Sequence, residues 1–430
     1  MRFRASDVAS ATGGRLHGPD APIDGVSFDS RSLQAGQLFV PLVAERDGHE
    51  FVPGALERGA AAYLTAQPPV GGTAIEVADT LRALMALATA MRSRFDGPVV
   101  GITGSVGKTS TKDMVASALG ASRRTWANEK SFNNEQGLPT TVLNTPDDTE
   151  VMVLEMGMRG FGEIAELCGI AHPTVGVVTR VAEAHSDRVG GIDGVARAKA
   201  ELIQALPAGG TAILNADDHR VDAMGALAPG AVLRFGHHHG ADVRITDVHL
   251  DDHARPSFRL HTPWGRHDVR LGVSGRHMAV NAAAALAVVG AVGADVAAGA
   301  AALSDVGLTA MRMEVRRTPA GAVVLDDSYN ANPTSMRAAM DALADLPGHR
   351  KVAVLGLMAE ISDPEAEHRA IVEYAHGHGI EVLAYGTDLY GITPCADPVA
   401  ELRSLARGEA VLVKGSRVVG LERVAAALCG

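Results

Sequence analysis

A short glycine loop between an apolar run and a helix constrains this chain more than any other feature. Apolar residues 98–100 lead into Gly101-Ile-Thr-Gly-Ser-Val-Gly-Lys-Thr-Ser110, and a helix is predicted over 109–119. In such a unit the backbone N–H groups point inward and the helix N-terminus favours negative charge, so the loop can cradle phosphates. Lys108 can then reach the terminal phosphates and Thr109 can ligate Mg²⁺. A glycine-rich turn with an incidental lysine is the alternative.

The spacing of this loop differs from that of the common P-loop. A common P-loop would place its first glycine at position 102, where this chain has Ile102. The nearest glycine is Gly104, which gives the shorter pattern G-x-x-G-K-T.

Length and composition bound the classes of protein that are possible. A chain of 430 residues predicts two to four domains. The aromatic share is only 4%, so the cores must rest on Ala, Val and Leu. A net charge of -11 argues against nucleic acid as the main partner.

Cysteine usage and apolar patterning indicate the compartment. Cys168, Cys395 and Cys429 form neither a metal-ligand spacing nor an even disulfide set, which fits a reducing cytoplasm. The N-terminus lacks an apolar signal core, and no apolar run has transmembrane length. We therefore expect a soluble, cytoplasmic protein without membrane insertion.

The chain reads as three successive α/β units. The first, residues 1–97, has short strands at 25–28 and 38–42 and a helix near 79–95 with Asp79 as its N-cap. The second has strands at 151–154, 175–178 and 211–214, with helices between them and at 278–290 and 294–302. The third, from about 311, has strands at 321–325, 351–355, 381–384 and 410–413. This alternation predicts mainly parallel sheets covered by helices.

The stretch 231–275 departs from the alternation of strands and helices that precedes it. Its short strand-like pieces and polar turns predict an antiparallel excursion from the second unit. Three adjacent histidines, His237 to His239, could bind a metal, but a solvated turn is the better interpretation.

Polar residues follow several predicted strands, at the edge where open α/β sheets bind ligands. Glu155 ends an apolar strand and could complete a Mg²⁺ site with Thr109, as a Walker-B carboxylate does, or be a solvated strand-end residue. His185 lies beyond strand 175–178, where a structural role and a ligand role are equally open. Helix geometry alone makes Lys199 a surface charge.

Two further polar clusters lie between a predicted strand and a helix. Asn133 and Asn134 could contact a phosphate or metal-bound water, although paired asparagines before glycine also form ordinary turns. Asp326 and Asp327 suit ribose hydroxyls, and capping of the next helix is the competing role.

Together these segments resemble the ATP-dependent Mur ligase superfamily over nearly the whole chain. The short loop 103–109 is typical of the superfamily. One branch, which joins D-alanyl-D-alanine to UDP-N-acetylmuramoyl-tripeptide, is similar in four further segments. They are Ser131-Phe-Asn-Asn-Glu-Gln-Gly-Leu-Pro139, Gly194-Val-Ala-Arg-Ala-Lys-Ala-Glu201, Asp326-Asp-Ser-Tyr-Asn-Ala-Asn-Pro333 and Val413-Lys-Gly-Ser-Arg417. Asn281, in Gly275-Arg-His-Met-Ala-Val-Asn281, matches a position that holds the nucleotide. After His185 the chain departs from the acidic and aromatic run that is frequent in the family.

The resemblance implies a fold and a reaction. It implies a UDP-sugar-peptide-binding domain at 1–97, a central P-loop-type ATPase domain at 98–309 and a C-terminal Rossmann-like domain at 310–430. It also implies a monomer that uses ATP and two Mg²⁺ ions and activates the tripeptide carboxylate as an acyl phosphate. Lys199 would be carbamylated and so become a carboxylate-like metal ligand.

The resemblance further assigns roles to individual residues. Lys108, Lys199, His185 and Glu155 are the expected catalytic residues, the last three being metal ligands with Thr109. The expected ATP-binding residues are Thr103, Gly104, Ser105, Val106, Gly107, Lys108, Thr109, Asn281, Arg312, Asp326 and Asp327. The expected substrate-binding residues are Ser30, Arg31, Asp47, His49, Asn134, Asn330, Asn332 and Lys414.

Three competing functions stay open from the sequence. A sister ligase that adds a single amino acid would differ in the segment 326–333. A folylpolyglutamate synthase shares the short loop but should lack the uridine-nucleotide domain. A regulatory P-loop ATPase would release ADP without either peptide substrate. The third residue of the tripeptide, diaminopimelate or lysine, is also open.

Overall fold

The computed structural model describes residues 1–129, 132–182, 189–359 and 361–430. The chain divides into two compact units. Unit 1 comprises Met1–Gly101, Arg124–Met158 and Gly162–Thr174, and unit 2 comprises Ile102–Arg123, Arg159–Phe161 and Val175–Gly430. Within the described ranges, no helix combines the length and the apolar character needed to cross a membrane.

Strands and helices alternate along most of the chain. The strands are β1 Arg2–Arg4, β2 Arg15–His17, β3 Pro22–Asp24, β4 Val26–Ser27, β5 Leu38–Phe39, β6 Ala62–Thr65, β7 Ala74–Glu76, β8 Val99–Thr103, β9 Thr125–Ala127, β10 Val151–Glu155, β11 Val175–Val178, β12 Thr211–Asn215, β13 Ala231–Gly236, β14 Val243–Leu250, β15 Pro256–Thr262, β16 Gly265–Arg270, β17 Glu314–Arg317, β18 Val323–Asp326, β19 Arg350–Leu355, β20 Glu381–Ala384 and β21 Glu409–Lys414. The helices are α1 Ala5–Thr12, α2 Val52–Glu57, α3 Thr80–Arg92, α4 Lys108–Gly120, α5 Gly137–Leu143, α6 Glu163–Ala171, α7 Ile192–Gln204, α8 His219–Ala223, α9 Met278–Ala291, α10 Val296–Ala302, α11 Pro333–Asp345, α12 Pro364–Gly377, α13 Pro398–Glu401 and α14 Glu422–Cys429.

Unit 1 contains a small mixed sheet with strand order β2-β7-β6-β5-β4. Only the β2–β7 pair in it is antiparallel. One face of this sheet packs into a core of Leu33, Phe39, Val52, Ala55, Tyr63 and Ala74. Helix α3 begins where the sequence predicts, because the Asp79 carboxylate accepts the N–H groups of Leu81 and Arg82 at 2.9 and 3.0 Å.

Unit 2 contains the strand order β16-β15-β14-β13-β12-β11. The predicted antiparallel excursion is correct for β14 to β16 but wrong for β13. Strand β13 pairs parallel to β12, from Thr211 opposite Ala231 to Asn215 opposite Phe235. A parallel pair needs a long crossover, and the connection through α8 supplies it.

The C-terminal part of unit 2 forms a second sheet, with strand order β17-β18-β21-β19-β20. The four predicted strands are present and parallel, so the predicted mainly parallel α/β class is confirmed. Edge strand β17 was not predicted, because its sequence Glu-Val-Arg-Arg lacks an apolar run. It pairs antiparallel with β18.

Removing the cap of α3 should loosen that helix. We expect Asp79→Ala to cost about 1 kcal/mol, because two N–H groups of the first turn lose their acceptor. Amide hydrogen exchange in the first turn of α3 should accelerate about fivefold. Asp79→Asn is the matched control, since its amide oxygen still accepts. Equal exchange in the alanine variant and the wild type would contradict this role.

Candidate functional site

Two glycines give the loop after β8 its shape. Gly104 and Gly107 have φ angles of 152° and 81°, a region that favours glycine. A Cβ atom at Gly104 would lie 1.9 Å from Oγ1 of Thr179, and one at Gly107 would lie 2.9 Å from Oδ1 of Asn281. Backbone conformation and close approach therefore both require glycine at these two positions.

Residues that follow β11 hold the loop in place. The Thr179 hydroxyl donates to the Val106 carbonyl at 2.6 Å, and the Ser105 N–H donates to the Arg180 carbonyl at 2.7 Å. The Ser105 hydroxyl also accepts the N–H of Ala182 at 3.0 Å. Sequence reasoning missed Thr179 and Arg180 as site residues, although they directly follow a predicted strand.

Lys108 and Thr109 open helix α4, as the loop pattern predicts. The Lys108 ammonium donates to the Gly104 carbonyl at 2.8 Å. The buried Thr109 hydroxyl accepts from Nη2 of Arg312 at 3.3 Å. The Arg312 guanidinium lies 4.1 Å from the Tyr329 ring centroid, and its buried Nε has no hydrogen-bond partner among the described residues.

These groups line a cavity of about 220 Å³ within unit 2. It brings together predicted site residues from five stretches of the chain. They are Ser105, Val106, Gly107, Lys108, Thr109, Asn281, Arg312, Asp327, Asn330, Asn332 and Lys414. Asn215, Asp217 and His277 also line it and were not predicted; the first two end or follow strand β12. The rule that ligands bind at the carboxyl ends of parallel strands, applied to β12, would have predicted Asn215 and Asp217.

A buried ion pair forms one wall of the cavity. The Lys414 ammonium donates to the Asp327 carboxylate and, at 2.8 Å, to the Asn330 carbonyl. Burial lowers the pKa of Lys414, and the charge of Asp327 opposes that shift. Such a pair is costly to break, because either charge alone would remain buried and uncompensated.

The other polar residues of segment 326–332 have structural partners. Asp326 accepts from the Ser328 hydroxyl at 2.6 Å, and burial raises the pKa of Asp326. Asn332 caps α11 by accepting the Ser335 N–H at 2.9 Å. The capping alternative from the sequence therefore holds for Asn332 rather than for an aspartate.

Lys199 is buried, so the surface position that helix geometry suggested is wrong. Its side chain on α7 is 4% exposed. Burial, and then the positive charge of Lys108, hold the pKa of Lys199 well below its usual range. The small neighbours Ala198 and Ala200 are also buried, and a run of alanines gives no clear polar face to read from sequence. This environment favours the neutral amine.

Glu155 and the two asparagines before α5 lie in unit 1. Glu155 ends β10 and is 1% exposed, and its Oε1 accepts from the Asn133 amide at 2.7 Å. Asn134 accepts the Gly137 N–H at 2.9 Å at the start of α5. Asn133 therefore orients a buried carboxylate, whereas Asn134 fills the turn role that the sequence left open.

The predicted uridine-nucleotide residues also lie in unit 1. Arg31 pairs with Asp29 at 2.7 Å beside the half-buried Ser30. His49 Nδ1 lies 2.6 Å from an Asp47 oxygen, while its Nε2 accepts the N–H of Ala66 at 3.0 Å. Since Nε2 accepts, the proton is on Nδ1 and is donated to Asp47.

The described residues offer few donors for a metal ion. His185 lies outside them, so its predicted ligand role has no structural account. Within 1–129, 132–182, 189–359 and 361–430, no group of three His, Cys, Asp or Glu side chains could hold a metal ion. The hydroxyl of Thr109, in unit 2, is a hard oxygen donor of the kind that Mg²⁺ accepts beside water and phosphate, and the carboxylate of Glu155, in unit 1, is a hard donor as well.

Two family models match the chain, one in its middle and one in its C-terminal part. The Mur ligase middle domain matches residues 102–289. The Mur ligase, glutamate ligase domain matches residues 311–417.

Individual relatives match along nearly the full length. A UDP-N-acetylmuramoyl-tripeptide–D-alanyl-D-alanine ligase from Mycobacterium tuberculosis is 39% identical, covering 94% of this chain and 91% of its own. The structure of MurF from Acinetobacter baumannii has a TM-score of 0.88 at 29% identity, covering 100% and 99% of the two chains. The MurF ligase of Thermotoga maritima, solved in complex with ADP, has a TM-score of 0.83 at 28% identity, covering 94% and 96%.

The chain therefore belongs to the Mur ligase family, in the group that contains the UDP-N-acetylmuramoyl-tripeptide–D-alanyl-D-alanine ligases. The resemblance inferred from the loop 103–109 and the segment 326–333 is confirmed.

Replacing Lys199 with Met should change how stability depends on pH. The unfolded chain binds a proton at Lys199 up to about pH 10.4, whereas the native pKa is lower. Between these pKa values the unfolded state binds more protons, so the stability contributed at this site rises with pH. We expect Lys199→Met to melt above the wild type at pH 7, with a difference that shrinks as pH rises toward 10.4.

Thermal unfolding in buffers free of carbon dioxide measures this difference. Lys351→Met, on β19, is the control for removing a lysine charge. A melting difference independent of pH would show that burial does not perturb Lys199.

Proposed function

We propose that this protein is an ATP-dependent ligase that joins D-alanyl-D-alanine to UDP-N-acetylmuramoyl-tripeptide through an acyl phosphate. The observation that carries the proposal is the cavity that combines the phosphate loop with the Asp327–Lys414 pair. Relatives named for this reaction and the ADP complex of a related MurF support the substrates and the nucleotide. The product is a precursor of peptidoglycan.

The chemistry requires activation of the acid. A free carboxylate is a poor acyl donor, so the tripeptide carboxylate attacks the γ-phosphate of ATP in line and gives an acyl phosphate and ADP. Lys108, Arg312 and the loop N–H groups stabilise the charge that develops on the phosphoryl oxygens. The dipeptide amine then attacks the acyl carbon, and phosphate leaves the tetrahedral intermediate.

Magnesium is the expected metal, in two positions. Thr109 would hold it beside the phosphates, and Glu155, His185 and carbamylated Lys199 remain the proposed further ligands. When bound, the metal supplies positive charge to the phosphates. The lowered pKa of Lys199 supports carbamylation, because a neutral amine can add to carbon dioxide.

The three domains have separate proposed roles. Residues 1–97 would bind the uridine nucleotide through Ser30, Arg31, Asp47 and His49. Residues 98–309 would bind ATP, including Asn281 at the base. Residues 310–430 would bring the dipeptide, with Asp326 and Asp327 near the ribose and Asn330, Asn332 and Lys414 toward the substrate. We further propose a monomer in the cytoplasm, where ATP is supplied.

Phosphate release tests the reaction directly. With ATP, Mg²⁺, UDP-N-acetylmuramoyl-tripeptide and D-alanyl-D-alanine present, we expect steady release of one phosphate per amide formed. Omitting the tripeptide should abolish release, and omitting the dipeptide should reduce it to slow hydrolysis of the acyl phosphate. Release that ignores both peptide substrates would refute ligation and favour a regulatory ATPase.

Lys199→Ala should abolish amide formation, because the proposed carbamate ligand is lost. Short carboxylates such as acetate should restore part of the rate by occupying the vacated position. Lys199→Arg is the matched variant, since it keeps a long basic side chain but cannot form the carbamate, and it should be as inactive as the alanine variant. Turnover equal to the wild type in the alanine variant would end the carbamate proposal.

A further inference from the structure

A buried histidine in the C-terminal sheet region has no role in the reaction described above. His368 on α12 is fully buried, and its Nε2 accepts the N–H of Met358 at 3.0 Å. Its Nδ1 bonds the Pro364 carbonyl. Because an N–H can only donate and a carbonyl can only accept, the ring is neutral with its proton on Nδ1.

The histidine and a tyrosine together hold the turn that follows β19. The Tyr390 hydroxyl donates to the Gly356 carbonyl at 2.8 Å, which is the start of the turn. The His368 ring meets the Tyr390 ring edge-on, with centroids 4.7 Å apart. Both side chains are buried. The bonds from the Met358 N–H to His368 and from the Tyr390 hydroxyl to the Gly356 carbonyl therefore fix the backbone of residues 356–358 against the core.

This turn is joined to the turn that follows β21. The Ser416 N–H donates to the Leu357 carbonyl at 2.8 Å, and the Ser416 hydroxyl accepts the Ala359 N–H at 3.0 Å. A Cβ atom on Gly415 would lie 3.0 Å from the Gly356 Cα, so the two backbones touch. We call residues 356–359 and 415–417 the paired turn.

The paired turn lies where an open α/β sheet binds ligands, at the carboxyl ends of two parallel strands. Lys414 directly precedes it and reaches Asp327 in the cavity. Next to it Val418 is 80% exposed, and Leu357 is half-buried. Apolar side chains at this edge of the sheet suit the two methyl groups of a small dipeptide.

We propose that His368 is a positioning residue for a D-alanyl-D-alanine-binding surface formed by the paired turn. The inference rests on the proposed function. His368 touches no reacting atom and acts through the Met358 N–H, while Tyr390 acts through the Gly356 carbonyl. A turn held in this way is preorganised, so the dipeptide does not have to order it on binding.

Protonation should release the turn. A protonated ring carries a hydrogen on Nε2, which would face the Met358 N–H and remove its acceptor. Burial lowers the pKa of His368. The hydrogen bond to the Pro364 carbonyl and the nearby charge of Glu367 raise this pKa, but burial has the larger effect. Tyr390 is the other titratable group packed against the ring. The turn is therefore held at neutral pH and released in acid.

The test compares substitutions at His368 in the ligation reaction. We expect His368→Leu to raise the KM for D-alanyl-D-alanine about tenfold, because a buried N–H loses its acceptor, with the KM for ATP unchanged. His368→Gln should stay near the wild type, since its amide oxygen can accept from Met358. The wild-type KM for the dipeptide should rise in acid, and that of the glutamine variant should not. His376→Leu, exposed on the same helix, is the matched control.

Several outcomes would overturn the inference. A folded leucine variant with a wild-type KM for the dipeptide would do so, as would equal changes in the KM values of all three substrates. Should that variant not fold, Tyr390→Phe decides, because it removes one hydrogen bond and keeps the ring. It should raise the dipeptide KM and speed hydrogen exchange at Met358 and Ala359, and no change in either would refute the role. Failure of the wild type to use the dipeptide would instead refute the proposed function.

Discussion

The contact between the phosphate loop and the residues after β11 determines the geometry of the nucleotide cavity. Gly104 approaches Thr179 so closely that no side chain fits, and the Thr179 hydroxyl then fixes the Val106 carbonyl. With the loop held in this conformation, α4 begins at Lys108. The Thr109 hydroxyl then accepts a hydrogen bond from Arg312, which lies in the distant segment before β17. A loop free to relax would lose the inward N–H groups that make it a phosphate site. The glycines are therefore needed for packing as much as for conformation.

Local patterns predicted most of the elements that position the site. The strand before the loop, the start of α4 and the Asp79 cap depend on residues close together in sequence, and all three are present. The rule that ligands bind at the carboxyl ends of parallel strands placed Asp327 correctly in the cavity. The three-domain division stays a prediction, as does the ligand set of the metals.

Other features depend on contacts between distant segments and could not be read from sequence. Helix periodicity placed Lys199 on the surface, but the tertiary packing of α7 buries it. The parallel pairing of β13 is set by the open edge of β12 and the length of the crossover, not by its own residues. The position of Thr179 after a predicted strand marks it as a residue of the ligand-binding edge, but the bond from its hydroxyl to Val106 depends on where the loop lies.

Gly356 and Gly415 limit how the paired turn, which we propose binds the dipeptide, can be redesigned. A Cβ atom on Gly415 would press on the backbone of Gly356, so a larger residue at position 415 would push the two turns apart, whereas a Cβ atom on Gly356 would meet the side chains of Val419 and Leu421. If the paired turn binds the dipeptide as proposed, a broader choice of acceptor peptides has to come from the side chains that border the turns, such as Leu357 and Val418. In that proposal, altered acceptor preference and retained folding are compatible only while position 415 keeps a hydrogen atom in place of a side chain.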